Sequence, residues 1–282
     1  MSTKISPKKI KELEQTAKLL RRHIIEMTCR AESGHPGGSL SAADIVTALY
    51  FHKMRFDSQR PDWEDRDRFV LSKGHAAPIL YAALAEAGFF PVRYLKTLRQ
   101  IGSSLQGHPD MRSLPGVEMS TGSLGQGLSI ANGIALGSRI DKRNYRVYVL
   151  IGDGETQEGQ IWEAAMTSAH HKIDNLTAIL DHNKFQIDGK TEEIKSLHPL
   201  SDKWRAFGWQ VIDQVDGHDF KQIIKALDAA EKNKGKPTII IAETIKGKGV
   251  SFIEGNNKFH GQATSPEEME RALKELCPIN LD

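Results

Sequence analysis

At 282 residues, 39% of them hydrophobic and 26% charged, the chain has ordinary globular composition and ample material for a core. A net charge of +2 argues against nucleic acid, whose footprint is a strongly basic face, and no apolar run approaches the length of a membrane span. Cys29 and Cys277 stand at opposite ends without metal-ligand spacing or a disulfide framework, and Met1-Ser-Thr-Lys-Ile-Ser-Pro lacks the apolar core of a signal peptide, so a reducing cytoplasm is the expected location.

Pro7 to Ala31 predicts a long amphipathic helix, because Ile10, Leu13, Ala17, Leu20, Ile24 and Met27 recur at helical spacing. Ser33-Gly-His-Pro-Gly-Gly38 stops it, and a second helix is expected from Ser39 or Ser41, either of which is a suitable cap. Arg68 to Ser72 reads as a short buried strand. It leads through Lys73-Gly74-His75 into a helix over residues 76–87, closed by Gly88. Residues 100–127 are loop-rich and contain Gly107-His108-Pro109 and Thr121-Gly-Ser-Leu-Gly-Gln-Gly127. The helix expected over 128–140 carries Ser129, Ala131, Gly133, Ala135 and Gly137. Glycine in a helix interior costs up to about 1 kcal/mol relative to alanine, so these positions predict close packing against another backbone.

The central stretch follows. Arg146-Val-Tyr-Val-Leu-Ile151 is an apolar strand running into Gly152-Asp153-Gly154, and Leu176-Thr-Ala-Ile-Leu-Asp181 is a second, running into His182-Asn183-Lys184-Phe185. Residues 209–213 and 238–242 supply two more strands. Asp216 is the expected cap of a helix carrying Phe220, Ile223, Ile224 and Leu227. The last strand runs into Thr244-Ile-Lys-Gly-Lys-Gly249, and after His260-Gly261 a final helix is expected over 266–276, with proline in its first turn. Five strands alternate with helices and no hairpin dipeptide joins consecutive strands. The predicted fold is α/β, a parallel sheet flanked by helices on both faces, as a single domain over 1–282.

If the two central strands are parallel neighbours, Asp153 and Asn183 emerge on one edge, where open α/β sheets bind ligands. One carboxylate, one carboxamide and nearby carbonyls are hard oxygen donors, suited to a divalent cation held against a phosphorylated ligand. Gly154 lets backbone N–H groups approach a phosphate at the following helix start. His35, His75, His108 and His260 each adjoin Gly or Pro at an element end; converged, they would steer protons and hydroxyls near pH 7. Lys73 and Lys246 flank glycine turns at strand ends and suit phosphate as point charges. Glu158 and Glu163, five apart, do not share one helix face. No Walker loop, no dinucleotide glycine fingerprint and no nucleophile elbow is present. From the residues alone, the chain reads as an α/β domain that binds a diphosphate with a metal.

Gly152-Asp-Gly followed by Asn183 resembles the thiamine diphosphate signature. Ser33-Gly-His-Pro-Gly37, Asp67-Arg-Phe-Val-Leu-Ser-Lys-Gly-His75, Gly107-His-Pro109, Thr121-Gly-Ser-Leu-Gly-Gln-Gly127, Gly152-Asp-Gly-Glu-Thr-Gln-Glu-Gly159, Lys246-Gly-Lys-Gly249 and His260-Gly261 resemble transketolase segments, in the family's order. The resemblance covers only the N-terminal, diphosphate-binding part, and so implies one subunit of a split transketolase. It implies that Asp153, Asn183 and the Phe185 carbonyl hold Mg²⁺ or Ca²⁺. It implies that Lys73, His75, Gly154, Lys246 and His260 line the diphosphate and thiazolium of thiamine diphosphate, and that Gly122, Ser123 and Leu124 meet the cofactor. His35, His108 and His260 would face the sugar as catalytic histidines. Glu158, placed with the cofactor residues, and Glu163 resemble the family's interface glutamates. Two departures stand out: His182 precedes Asn183 where relatives show Asp or Asn, and Ser123 replaces a common proline.

The activity implied is transfer of a two-carbon ketol unit from a ketose phosphate to an aldose phosphate. The implied partner is a C-terminal subunit carrying the pyrimidine-binding domain and the activating glutamate, in an α₂β₂ assembly, with this chain inactive alone. The competing expectations are a transketolase-like subunit for a branched or modified sugar phosphate, and a non-catalytic regulatory homologue.

Overall fold

Val147–Gly152 (β2), Leu176–His182 (β3) and Thr238–Glu243 (β7) are buried along almost their whole length, as strands covered on both faces must be. In the computed structural model, which describes residues 5–277, they form the centre of a five-stranded parallel sheet. Arg68–Leu71 (β1) and Gln210–Asp216 (β6) are its edges, in the order β1-β2-β3-β7-β6. The start of the chain read as leaderless, Met1–Lys4, and residues 278–282 of the expected domain lie outside the described residues. β2 and β3 are adjacent, with Gly152 paired to Asp181, so both polar turns leave the same edge.

Strand side chains alternate between two cores. Phe69, Leu71, Tyr148, Leu150, Ile179 and Ile240 pack beneath Pro7–Arg30 (α1), Ala43–Ala48 (α3), Ala77–Glu86 (α4) and Phe220–Lys232 (α9). Val70, Val149, Ile151, Ala178, Leu180 and Ile241 pack beneath Gln126–Ile140 (α5), Gly159–His170 (α6) and Leu200–Ala206 (α8). The fold is therefore the expected α/β sheet with helices on both faces. Among the described residues no helix is long and apolar enough to cross a membrane.

Four local expectations are corrected. Neither Ser39 nor Ser41 caps a helix: a short helix, Pro36–Ser41 (α2), begins with proline in its first turn and runs through both glycines. Those glycines are needed for close approach, since a Cβ on Gly37 would lie 2.9 Å from the Phe259 carbonyl oxygen. Asp219, not Asp216, caps α9, accepting from the Lys221 amide, while Asp216 ends β6. A two-stranded antiparallel ribbon, Phe185–Gln186 (β4) and Gly189–Lys190 (β5), follows β3 where the sequence predicts no hairpin; Gly189, at φ +156°, opens its return strand. Finally, the expected close packing of Gly133 and Gly137 is not met among the described residues, where an added Cβ at either has no atom within 4 Å.

The close backbone approach occurs at the start of α5 instead. A Cβ on Gly127 would stand 2.6 Å from the Ser72 Cα. Gly127→Ala is expected to destabilise the chain by about 1–3 kcal/mol, the usual penalty for overpacking a tight contact. Urea unfolding of the two proteins measures it, and a change below about 0.5 kcal/mol, the scatter of neutral surface substitutions, contradicts the packing account.

Candidate active site at the carboxyl edge of the sheet

The turns after β1, β2, β3 and β7 enclose a cavity of about 400 Å³, lined by residues from all four and from the loops carrying His35, Leu124 and His260. A wider groove of about 830 Å³ lies between α1 and Pro266–Glu275 (α10). Its walls, Met27, Val92, Met269 and Leu273 among scattered charges, hold no comparable convergence of strand-end groups.

The floor is a buried polar network. Asp181, fully buried at the end of β3, accepts from Lys73 Nζ and the Thr244 hydroxyl, from the Ser41 hydroxyl at 2.6 Å and from Asn183 Nδ2 at 3.3 Å. Lys73 also donates to the Gly38 carbonyl at 2.7 Å. Its ammonium is therefore engaged by the floor, although its stem lines the cavity. Burial works to raise the Asp181 pKa, but the Lys73 charge and the hydroxyl donors outweigh it and hold the carboxyl below its usual range.

Asp153 sits beside this carboxylate. Its Oδ1 accepts from the Gly154 amide at 2.8 Å and its Oδ2 from the Lys184 amide, so the two polar turns are stitched together. No salt bridge among the described residues reaches it. Burial and the negative charge of Asp181 push its pKa up to about 7. The Asn183 side-chain oxygen accepts from the Phe185 amide at 3.1 Å. Among the described residues no group of three or more His, Cys, Asp and Glu side chains is gathered as a metal site. A set of one carboxylate, one carboxamide and one carbonyl is of a different kind.

Opposite the floor, three of the four singled-out histidines converge. The His35, His75 and His260 ring centroids stand 5.2–5.6 Å apart. Lys246, 2% exposed, donates to His260 Nδ1 at 2.9 Å and to Asn257 Oδ1 at 2.6 Å. An ammonium only donates, so His260 Nδ1 accepts and its ring proton resides on Nε2. His35 Nδ1 is buried without a hydrogen-bond partner. His108 is exposed and packs over Gly122, whose φ of +148° and proximity to that ring leave no room for a side chain. Burial first, then the charges of Arg99, His108 and Lys246, lower the His35 pKa to about 4. Burial and Lys246 take His260 to about 3, and burial with Lys73 takes His75 well below its ordinary value. Lys246 is itself brought down to about 8, by burial and Lys73 against the opposing pull of Asp153 and Asp181.

The remaining candidates lie at the rim. Leu124 and Gly154 line the cavity, Ser123 is exposed beside it, and Glu158 is exposed just before α6. Glu163 lies on the outer face of α6, away from the cavity. Sequence reasoning missed Glu155, a buried carboxylate that accepts from the Ser72 hydroxyl, the Gly125 amide at 2.9 Å and the Gly152 amide at 3.0 Å. It joins the Gly122–Gly125 loop to the Gly152-Asp-Gly turn. An acidic residue in the first turn after a glycine looks solvated in sequence, so nothing marks it there. Asp181 carries a usable signal, a carboxylate ending an otherwise apolar strand.

The chain matches the family model described as transketolase, thiamine diphosphate binding domain, over residues 12–278. It is 48% identical to the 6-deoxy-6-sulfo-D-fructose transketolase subunit SqwG of Clostridium sp. (strain MSTE9), over 94% of this chain and 96% of that one. It is 43% identical to one of the apulose-4-phosphate transketolase subunits of Phocaeicola vulgatus, over 95% and 94%. Against the transketolase of Homo sapiens, identity is 44% over 95% of this chain but only 42% of that protein. The transketolase from Leishmania mexicana superposes with a TM-score of 0.89 at 34% identity, covering 94% of this chain and 41% of that one. The fold and the site define a thiamine diphosphate-type α/β domain. The chain belongs to the transketolase family, within its thiamine diphosphate-binding domain, as the ordered motifs indicated.

Three partly buried, neutral imidazoles have a thermodynamic consequence. The unfolded chain protonates each near 6.5, whereas folded His35 and His260 stay neutral down to about 4 and 3. Between these values the unfolded state binds more protons, so stability is complete above pH 6.5 and falls as pH drops towards 4. Urea unfolding at a series of pH values is expected to show this decline, with a shallower slope in His35→Gln. An unchanged slope in that variant removes His35 from the account.

Proposed function

We propose that this chain is the cofactor-binding subunit of a two-chain transketolase: a single domain that moves a two-carbon ketol unit from a ketose phosphate to an aldose phosphate, and only when a separate subunit supplies the pyrimidine-binding domain. The observation that carries this reading is one of extent. The chain matches nearly the whole length of proteins described as transketolase subunits, but under half of a transketolase such as the human one.

The site residues fit the implied groups. Asp153 is a buried carboxylate without a salt bridge among the described residues, raised to about 7, and a divalent ion relieves that burial. With the Asn183 side-chain oxygen and the Phe185 carbonyl it makes a hard-oxygen set for Mg²⁺ or Ca²⁺. Gly154, His75, Lys246 and His260 serve the diphosphate, with Lys73 behind them fixing the floor. Gly122, Ser123 and Leu124 present loop backbone to the cofactor rings, and Glu158 closes the rim. Thiamine diphosphate, when bound, supplies the carbanion chemistry of the transfer. This chain's own part is to bind, orient and exclude water. His35, His108 and His260, as weakly basic neutral imidazoles, hold sugar hydroxyls. They take up a proton only where negative charge develops against them.

The outer face of α5 and α6 supports self-association. Gly133 and Gly137 are open, and Ile140 and Met166 are 81% and 55% exposed beside Glu163. Small residues one turn apart admit a second backbone, and exposed apolar patches mark interfaces. A second copy of this chain is the occupant proposed, which makes the complex α₂β₂.

Co-expression with the partner subunit, Mg²⁺ and thiamine diphosphate is expected to yield ketol transfer across a panel of ketose phosphates, including branched and sulfonated analogues. No transfer from any donor ends the proposal. Asp153→Ala is expected to weaken metal-dependent cofactor binding by calorimetry at least about 100-fold, as for loss of a charged anchor; unchanged binding removes Asp153 from the metal site. Gly133→Leu is expected to halve the mass of the complex in light scattering, and a retained tetramer places the contact elsewhere.

A further inference from the structure

Lys246 lies in a loop gripped from outside the site, on both sides, by one hydrogen-bonded ring. The Ile245 amide donates to His218 Nε2 at 2.9 Å, in the turn after β6. Because that amide only donates, Nε2 accepts and the imidazole proton resides on Nδ1. From there it is donated to Asp44 Oδ2 at 2.7 Å. Asp44, on α3, receives a two-pronged contact from Arg21 of α1, Nη1 to Oδ1 at 2.9 Å and Nη2 to Oδ2 at 2.6 Å. The Arg21 Nε then donates to the Lys248 carbonyl at 2.9 Å, returning to the same loop. Lys246 is the residue between the two tie points.

The ring is built, not incidental. Arg21 and Asp44 side chains are each 7% exposed and His218 12%. The His218 turn is pressed against the loop by Gly217, whose amide donates to the Glu243 carbonyl at 2.8 Å. A Cβ there would lie 2.5 Å from the Thr244 Cγ2. None of Arg21, Asp44 and His218 lines the cavity, and none has a part in the site already described. A charged pair taken this far out of water needs its donors and acceptors matched, and here they end on the loop, on another member of the ring or, for Arg21 Nη2, also on the Leu40 carbonyl at 3.4 Å.

We propose that His218, Asp44 and Arg21 form a positioning clamp that fixes the Lys246 loop, and with it the Lys246–His260 contact, for binding a diphosphate group. His218 is the informative member because it alone holds the loop by a single acceptor. The anion-binding half of this inference rests on the reading of the cavity as a diphosphate site.

Two substitutions separate the bond from the bulk. His218→Asn keeps a donor for Asp44 but leaves Ile245 N–H without its acceptor. His218→Gln extends a side-chain oxygen to where Nε2 accepts. In the full chain, amide hydrogen exchange at Ile245 is expected to be protected in the unsubstituted protein. It is expected to rise about tenfold in His218→Asn, with inorganic pyrophosphate plus Mg²⁺ binding about tenfold more weakly by calorimetry, as for one lost positioning bond. His218→Gln is expected to stay within about threefold on both measures, the range of a retained bond of poorer geometry. If both variants are impaired alike, or neither differs from the parent, the clamp is overturned. An Ile245 amide that exchanges in the unsubstituted protein like an unbonded loop amide overturns it without any variant. If pyrophosphate fails to bind even the parent, the diphosphate reading falls, while the exchange measurements still decide whether His218 holds the loop.

Discussion

The buried pair between Lys73 and Asp181 is the contact on which the site depends. It joins the turn after β1 to the end of β3, across β2, and reaches α2 through Ser41 and Gly38 and the turn after β7 through Thr244. Removing one partner of such a pair costs about 3–5 kcal/mol, because the other charge is left buried and alone. The pair also sets the electrostatics of its surroundings. Lys73 keeps Asp181 ionised despite burial, and that retained negative charge is one reason the neighbouring Asp153 is hard to ionise unaided. Of two adjacent buried carboxylates, Asp181 is paired with Lys73 and Asp153 has no salt bridge among the described residues.

The wall facing this floor has the opposite character. Three imidazoles and Lys246 crowd together with little negative charge among them, and burial with mutual repulsion keeps the rings neutral. A neutral imidazole carries one donor and one acceptor, so the wall presents alternating hydrogen-bonding capacity of the kind a polyhydroxylated sugar requires. His35 Nδ1, buried without a partner, is one such position still open. The cavity thus divides into a floor of buried carboxylates and a wall of neutral imidazoles.

What is legible in the sequence is whatever local pattern determines. The apolar runs of β2 and β3, ending in Asp153 and Asn183, announce both the parallel sheet and the edge where chemistry gathers. The Gly-His and His-Pro turns likewise mark the segments that meet in the histidine cluster. What stays hidden depends on tertiary placement. α2 looks like a break, because two glycines oppose a helix unless another chain segment must pass close, and Phe259 lies more than two hundred residues away. Glu155 and the Arg21–Asp44–His218 ring look like ordinary surface charges until the fold removes water from them. The glycines of α5 predict close packing against another backbone, and Gly133 and Gly137 meet none among the described residues.

The position of β7 bears on how the chain reaches this structure. β6 is made before β7 yet pairs only with it, and β7 enters between β3 and β6. The sheet therefore cannot be assembled in the order of synthesis. Until residues 238–243 leave the ribosome, β6 has no neighbour and one flank of β3 offers a row of unpaired backbone groups, the kind of exposed edge that invites aggregation. The carboxylates at the ends of β2 and β3 meanwhile lack Thr244 and Lys246, which are supplied by the turn just beyond β7. Closing the sheet and completing the cavity are consequently a single late event, and a chain halted before that strand has neither.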